Sequence, residues 1–451
     1  MINLTERKRR LTELLDKVED TPREWFNANG ASSNGQPHHS GNVESMSCQT
    51  WNECEAAWVD AMQWRRDMGD ALAVLLAVCA STQQGGNQLF LQLVGSAGSG
   101  KTTLCDGLLV SKHCHNLEHL TGFHSGWKLP EDGEKDCSLI ARINGKTLVT
   151  PEADVMLSSP RFVELMGQQR RIFDGKSGAT YKNTDKDTMH VGLRTHWIMA
   201  GTPAMMDHDQ SHLGDRFVRF IIADPEDGEK RAILKRAAQS ERAAMLGSAN
   251  GTAGSVVDPR TRLAYALTGG YVDWLRANVE EKLSQVDVSD AAEDYCLDLS
   301  ELSADLRARP NEDRRKVETH DTKELPTRLA RQNVRLASCL AVVLNKRSVD
   351  SDVLRILRKV ALDTAAGHSL NIAQWLCSQN PKGNGRSYQE CGGLMPGILE
   401  SWTGMTPDRL TKYLLFLRKI DVLEMRQLKN IGNAWLLTER VYDLYLRVMK
   451  G

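Results

Sequence analysis

The chain has 451 residues, of which 41% are hydrophobic and 25% charged, and its formal net charge is −1. This length is enough for two or three domains with a substantial buried core. The near-neutral charge argues against a protein that coats nucleic acid indiscriminately, although it is compatible with a local basic surface. No apolar run approaches the ~20 residues needed to span a bilayer. No apolar segment follows the basic N-terminal cluster either, so we expect a cytoplasmic protein with no membrane partner.

The elements alternate in the order typical of an α/β domain. Residues 4–26 have the spacing of a surface helix or helix pair, residues 29–47 read as a flexible linker, and residues 51–80 are again helical in pattern. Short strand-like runs then alternate with helical stretches, which predicts a sheet with crossover helices. These runs are Leu89–Val94, Ser138–Ile143, Thr147–Val149, Trp197–Ala200 and Phe217–Ile222. Breaks at Gly247–Ser255 and Gln379–Arg386 bound a mostly helical stretch, which the charged segment Arg307–Pro326 interrupts.

The ten cysteines include no Cys-x-x-Cys pair. In a reducing compartment we expect free thiols that pack as small hydrophobic groups. A zinc site is the alternative, drawn from Cys48 and Cys54 with His38 and His39, or from the run His113–His115. Neither set has the spacing of a usual structural zinc site.

A phosphate-binding loop is the strongest signal in the sequence. Gly95-Ser96-Ala97-Gly98-Ser99-Gly100-Lys101-Thr102 satisfies Gly-x-x-x-x-Gly-Lys-[Ser/Thr], with a predicted strand before it and a predicted helix, Thr103–Ser111, after it. The glycines let successive backbone N–H groups point at phosphates, and the helix N-terminus favours negative charge. Lys101 is expected to neutralise the β- and γ-phosphates, and the Thr102 hydroxyl to ligate Mg²⁺. We therefore expect ATP and Mg²⁺ as cofactors, bound by Gly95–Thr103.

Two carboxylates follow the predicted strand at Thr147–Val149, where a hydrolase of this kind needs an acid. Glu152 is the first candidate for general base and for holding Mg²⁺, and Asp154 is the second. A solvated loop carrying two acidic residues is an equally good interpretation.

Two further candidates follow in chain order. Thr202 ends a predicted strand, where it can orient the attacking water, although threonine before proline is also common in turns. Arg216 precedes another strand and is the candidate arginine finger, which stabilises transition-state charge. Arg219 is its neighbour, and a salt-bridged surface role is the alternative for either arginine.

This order of motifs resembles the AAA+ core of superfamily-three and minichromosome-maintenance-like helicases, in particular ATPases carried by phages and integrative elements. The resemblance covers about residues 85–225. Besides the loop it lies in Leu120–Trp127, Leu139–Val149, Arg171–Gly175, Ala200–Pro203 and Leu213–Phe217. It implies a ring-forming ATPase, with a hexamer favoured, that engages DNA in a central pore. Glu152 stands where those proteins keep their acidic residue, often an aspartate.

The breaks along the chain and the resemblance together predict a domain order. We predict an N-terminal helical segment with linker at 1–60, the P-loop ATPase core at 61–250, a helical lid at 251–380 and a winged-helix unit at 381–451. In the lid, Arg328 is similar in position to an arginine that contacts the nucleotide in minichromosome-maintenance-like proteins. Arg331 and Arg335 follow it at helical spacing, and a basic helix face is the alternative.

The C-terminal unit has the helix–strand–turn–strand pattern of a winged helix. Thr406 and Pro407 are suited to begin a helix. Arg409 and Lys412 on this helix and Lys429 on the wing are the predicted DNA contacts. A winged helix that contacts protein is about equally compatible. We expect the aromatic residues Tyr413, Phe416 and Trp435 to belong to its core.

Three functions fit these features: a DNA helicase or translocase that replicates a mobile element, a switch ATPase that loads or regulates another DNA enzyme, and a defence ATPase. Because the sequence has no primase or nuclease constellation, a separate primase or effector is an expected partner. His124 and Lys128 are the candidates for pore-facing loops.

Overall fold

The computed structural model describes residues 9, 12–14, 43–118, 120, 122–124, 138–180, 187–206, 216–247, 258–310, 325–379, 393–428 and 432–450. The chain divides into two compact units. The first comprises Met1–Val286 with Ser338–Arg347, and the second comprises Asp287–Ala337 with Ser348–Gly451. Within the described ranges, no helix has the length and apolar character required to cross a bilayer.

A five-stranded parallel sheet forms the centre of the first unit, in the order β2-β3-β6-β1-β7. Its strands are β1 (Phe90–Val94), β2 (Cys114–Asn116), β3 (Thr147–Thr150), β6 (His196–Gly201) and β7 (Phe217–Ile221). Nearly all of their residues are buried, as expected for a parallel sheet that helices cover. A separate antiparallel hairpin joins β4 (Lys176–Thr180) to β5 (Asp187–Val191).

Helices pack on the sheet and on one another. In chain order, those of the first unit are α1 (Trp51–Ala61), α2 (Arg66–Ser81), α3 (Lys101–Leu109), α4 (Leu139–Ile143), α5 (Ala153–Leu157), α6 (Phe162–Phe173), α7 (Asp227–Gly247) and α8 (Pro259–Leu283). Helices α4, α5 and α6 share a buried apolar core with β1, β3, β6 and β7, in which the ring of Trp197 is fully buried. Helix α8 packs on α1, α2 and α3.

Four of the predicted strands are confirmed, because β1, β3, β6 and β7 cover those runs within one or two residues. The strand predicted at Ser138–Ile143 is wrong, since Leu139–Ile143 forms the short helix α4. Ile140 and Ile143 are three residues apart and both fully buried, which is the spacing of one helix face. The hairpin β4–β5 and the short strand β2 were not predicted.

The second unit is helical with one hairpin. Its helices are α9 (Asp290–Arg307), the first part of α10 (Thr327–Val343), α11 (Ser351–Ala365), α12 (His368–Gln379), α13 (Pro396–Thr403), α14 (Pro407–Lys419) and α15 (Glu439–Lys450). Strands β8 (Leu423–Leu428) and β9 (Gly432–Leu437) pair antiparallel between α14 and α15. The prediction that Tyr413, Phe416 and Trp435 are core residues is confirmed, since each is at most 5% exposed.

Candidate functional site

The predicted phosphate-binding loop joins the end of β1 to the first turn of α3. Gly98 and Gly100 have φ angles of 78° and 87°, a left-handed conformation that strains any residue with a Cβ atom. Gly100 is also the N-cap of α3, and a Cβ there would lie 2.9 Å from Cε of Met68. The strand, the glycine-containing loop and the helix N-terminus are therefore arranged as the sequence predicts.

The side chain of Lys101 lies within this loop. Its ammonium group donates hydrogen bonds to the carbonyl oxygens of Gly95 (2.6 Å) and Ser96 (2.8 Å) and to Oγ of Ser99 (3.2 Å). Burial lowers the pKa of Lys101, and the negative charge of Asp154 acts in the opposite direction. The loop carbonyls and a nearby carboxylate thus compensate a charge that desolvation disfavours.

Asp154 and Thr202 meet at the edge of the sheet where the loop lies. Strands β3 and β6 are neighbours, with Thr150 opposite Met199, so the segments that follow them are adjacent. The Asp154 carboxylate accepts hydrogen bonds from the backbone N–H of Thr202 (2.9 Å) and from its hydroxyl group (3.2 Å). Because Asp154 also acts on the pKa of Lys101, the structure brings three of the predicted site residues together.

The two predicted magnesium-binding residues of this edge, Glu152 and Thr102, are exposed. Glu152 is the N-cap residue of α5, and its side chain makes no capping hydrogen bond. Thr102 is exposed and Thr103 is half-buried on the first turn of α3. Glu152 is thus placed at the end of β3 as predicted, while Asp154 is the acid whose position is fixed by contacts.

Arg216 is held by α6. Its Nη2 lies 3.1 Å from the Asp174 carboxylate, and its guanidinium lies 5.5 Å from the ring centroid of Phe173. Only 14% of its side chain is exposed. An aromatic ring and a carboxylate together stabilise this cation.

The structure does not bring Arg216 to the loop. Arg216 precedes Phe217, which pairs with Phe90, the first residue of β1. The strands are parallel, so Arg216 lies at the amino edge of the sheet, about 17 Å along the strands from the loop at the carboxyl edge. Arg219 is buried inside the sheet, where its Nε donates to Oε1 of Gln92 (3.2 Å).

The predicted lid arginine belongs to the second unit. Arg328 is half-buried in the first turn of α10, Arg331 is exposed one turn later and Arg335 is half-buried. Arg328 and the loop are therefore parts of different compact units.

The predicted DNA contacts on α14, Arg409 and Lys412, are both exposed. Lys429 lies outside the described residues, as does Lys128 of the pore-loop prediction. His124 is described, and its Nε2 lies 2.8 Å from Oγ of Ser177 on the hairpin strand β4.

Sequence reasoning missed a carboxylate beside the loop. Asp224 follows β7, and its Oδ1 accepts a hydrogen bond from the hydroxyl of Ser96 (2.5 Å). The preceding residue, Ala223, is held through its N–H by Asp67 (3.1 Å) and through its carbonyl by Arg65 (2.9 Å). In the sequence, Asp224 is only an aspartate that follows a predicted strand. It points to the loop only once β7 is known to lie beside β1.

Neither zinc alternative is supported by a ligand cluster. Among the described residues, no group of three or more His, Cys, Asp or Glu side chains is placed to hold a metal ion. His38 and His39 lie outside those residues. Cys48 and Cys54 are buried, and Cys114 lies with its Sγ 3.8 Å from that of Cys79.

Comparison of the sequence with protein-family models finds no match, and comparison with curated proteins finds none either.

Replacing Asp154 with alanine is expected to destabilise the fold by about 1–3 kcal/mol, because the N–H and hydroxyl of Thr202 lose their charged acceptor. Glu152→Ala is the matched control and should change the free energy of unfolding by less than about 0.5 kcal/mol, since its side chain is exposed. Urea unfolding measures both values. Equal effects of the two substitutions would contradict the assignment of Asp154 as the anchored acid.

Proposed function

We propose that this chain binds ATP with Mg²⁺ at Gly95–Thr103 and hydrolyses it as an AAA+-type ATPase that acts on DNA. The observation that carries the proposal is the position of Lys101. Its ammonium group lies in a glycine loop at the edge of a parallel sheet, near the Asp154–Thr202 pair on a neighbouring strand end. Ligands of open parallel sheets bind at this edge, where helix N-termini and loop amides favour anions.

The residues of this edge fit a magnesium triphosphate. The loop amides and Lys101 would hold the phosphates, with Lys101 exchanging its bonds to loop carbonyls for bonds to phosphate oxygens. The exposed hydroxyl of Thr102 and the exposed carboxylate of Glu152 would hold Mg²⁺, Glu152 through water. Magnesium supplies neutralisation of the charge that develops on the phosphate oxygens.

In hydrolysis, Glu152 and Asp154 would have different roles. The exposed side chain of Glu152 is free of a capping bond and suits the general base, which must approach water. Asp154 fixes the backbone and hydroxyl of Thr202. Thr202, held in this way, would orient the attacking water relative to the γ-phosphate.

Arg216 would act on the nucleotide of a neighbouring copy. Its place at the amino edge of the sheet, about 17 Å from the loop, argues against a role on the nucleotide of its own chain. An arginine finger supplied by a second copy requires an oligomer, and a closed ring is the arrangement in which every site receives one.

The exposed basic residues of α14 support DNA as the partner, because phosphate contacts supply most of the affinity for nucleic acid. A helicase or translocase combines such contacts with nucleotide hydrolysis, and this is the function that we favour. A separate primase or effector would act with it.

Lys101→Ala and Arg216→Ala are each expected to abolish steady-state ATP hydrolysis. For Arg216→Ala, which removes the finger, the rate should fall by about 10³-fold or more. When the two inactive proteins are mixed, part of the activity should return, because an intact Lys101 in one subunit then meets an intact Arg216 from the next.

Arg171→Ala, which removes an exposed arginine of the same region, is the control and should retain wild-type activity. Hydrolysis by Arg216→Ala at the wild-type rate, or no recovery on mixing, would exclude Arg216 as a finger between subunits.

DNA should stimulate ATP hydrolysis several-fold, and the protein should displace a strand from a forked substrate. Arg409→Ala and Lys412→Ala should each weaken DNA binding for all sequences alike. Each should also make the slope of log affinity against log salt concentration shallower, by about the value for one phosphate contact. Lys235→Ala, on the exposed helix α7, is the control. Slow hydrolysis without strand displacement would favour the switch ATPase instead.

A further inference from the structure

Two tryptophans of the second unit form a partly exposed pair. Trp375 on α12 and Trp402 on α13 have ring centroids 4.7 Å apart and planes inclined by 31°. Each residue is 37% exposed, and so is Met395, which precedes α13. The pair thus presents indole surface to solvent.

This exposure is greater than that of the other described tryptophans, of which Trp64 and Trp274 are half-buried. Trp58 and Trp197 are fully buried in the first unit, and Trp435 of the second unit is 5% exposed. A single exposed apolar residue is ordinary, whereas two large rings in contact at the surface suggest a binding site. The tilted contact between the two rings restrains each of them, so that a planar ligand meets a preorganised aromatic surface.

The tryptophan pair lies beside the basic helix α14. Trp402 is in the last turn of α13, whose C-cap residue, Gly404, has a left-handed conformation with φ of 65°. Thr406 is the N-cap of α14, and Arg409 lies in the first turns of that helix. Only the three residues from Gly404 to Thr406 separate the two helices, which pack against each other.

The charges of the three helices favour an anionic ligand. Helix α12 carries no Asp, Glu, Lys or Arg, and α13 carries only Glu400. Helix α14 carries one acidic residue and four basic ones, and all five are exposed. The basic residues are Arg409, Lys412, Arg418 and Lys419.

We propose that Trp375 and Trp402 form a stacking platform for the bases of single-stranded nucleic acid, with the basic residues of α14 contacting its phosphates. An aromatic surface beside positive charge is the combination by which proteins bind single strands with little sequence preference, since every base has a flat face. The platform rests on the DNA-directed role proposed above and extends it from backbone contact to base stacking. In a duplex the bases are already stacked on one another, so this surface distinguishes single strands from duplexes.

The experiment measures binding of three fluorescein-labelled probes to the full chain by fluorescence anisotropy. The probes are an oligodeoxythymidylate, an abasic oligodeoxynucleotide of equal length, and a duplex. The abasic strand keeps the phosphates and lacks the bases, so the ratio of the first two affinities isolates stacking. The wild type should bind oligodeoxythymidylate more tightly than the abasic strand.

Trp402→Ala and Trp375→Ala should each weaken oligodeoxythymidylate binding by about 5- to 100-fold and leave abasic-strand and duplex binding within twofold. Trp402→Phe, which keeps a ring in place, should lose less than Trp402→Ala and covers the case in which the alanine variant does not fold. Leu415→Ala is the matched control, because it removes an exposed apolar side chain of α14 without removing a ring.

Equal wild-type affinity for oligodeoxythymidylate and the abasic strand would overturn the platform. So would tryptophan variants that bind all probes normally while their sedimentation coefficient changes, since the pair would then be a contact between copies. Lys101→Ala should retain the preference for bases. If the chain does not hydrolyse ATP but shows this tryptophan-dependent preference, the ATPase proposal fails and the platform stands.

Discussion

The parallel pairing of five strands determines where the glycine loop and its neighbouring side chains lie. Parallel neighbours deliver their following segments to one edge, and the order β2-β3-β6-β1-β7 sets the acid-bearing segment and Thr202 beside the glycine loop. The Asp154 carboxylate then joins the ends of β3 and β6, while Asp224 joins the end of β7 to Ser96 of the loop. The segments that follow β1, β3, β6 and β7 are therefore linked in pairs by hydrogen bonds at this edge. Asp154 also acts on the partly desolvated charge of Lys101.

The same register separates Arg216 from this edge. Its contacts with Phe173 and Asp174 keep it at the amino edge, where β7 begins. Arg216 could therefore contribute to hydrolysis only in an assembly of copies, because a rigid sheet cannot bring its two edges together. The proposed nucleotide site would be complete only between copies, so the proposed hydrolysis requires the proposed oligomer.

The glycine loop could be predicted from sequence because its signal is local: a strand, a fixed glycine spacing and a helix start lie within about 20 residues. Strands β3 and β6 could also be predicted from sequence, because each is a short apolar run. The contact between Asp154 and Thr202 could not be predicted from sequence. It depends on β3 and β6 being neighbours in the sheet, although 45 residues separate Thr150 from His196. The run Ser138–Ile143 was predicted as a strand because so short an apolar segment does not distinguish the repeat of a helix from that of a strand. Trp375 and Trp402 are conspicuous only once α12 and α13 are known to pack together.

Equilibrium binding of a fluorescent ATP analogue to the purified full chain tests the central claim most directly. We predict saturable binding that requires Mg²⁺, that unlabelled ATP displaces, and that Lys101→Ala reduces by at least an order of magnitude while the control variant Lys235→Ala retains it. No binding by the wild type, or undiminished binding by Lys101→Ala, would contradict it.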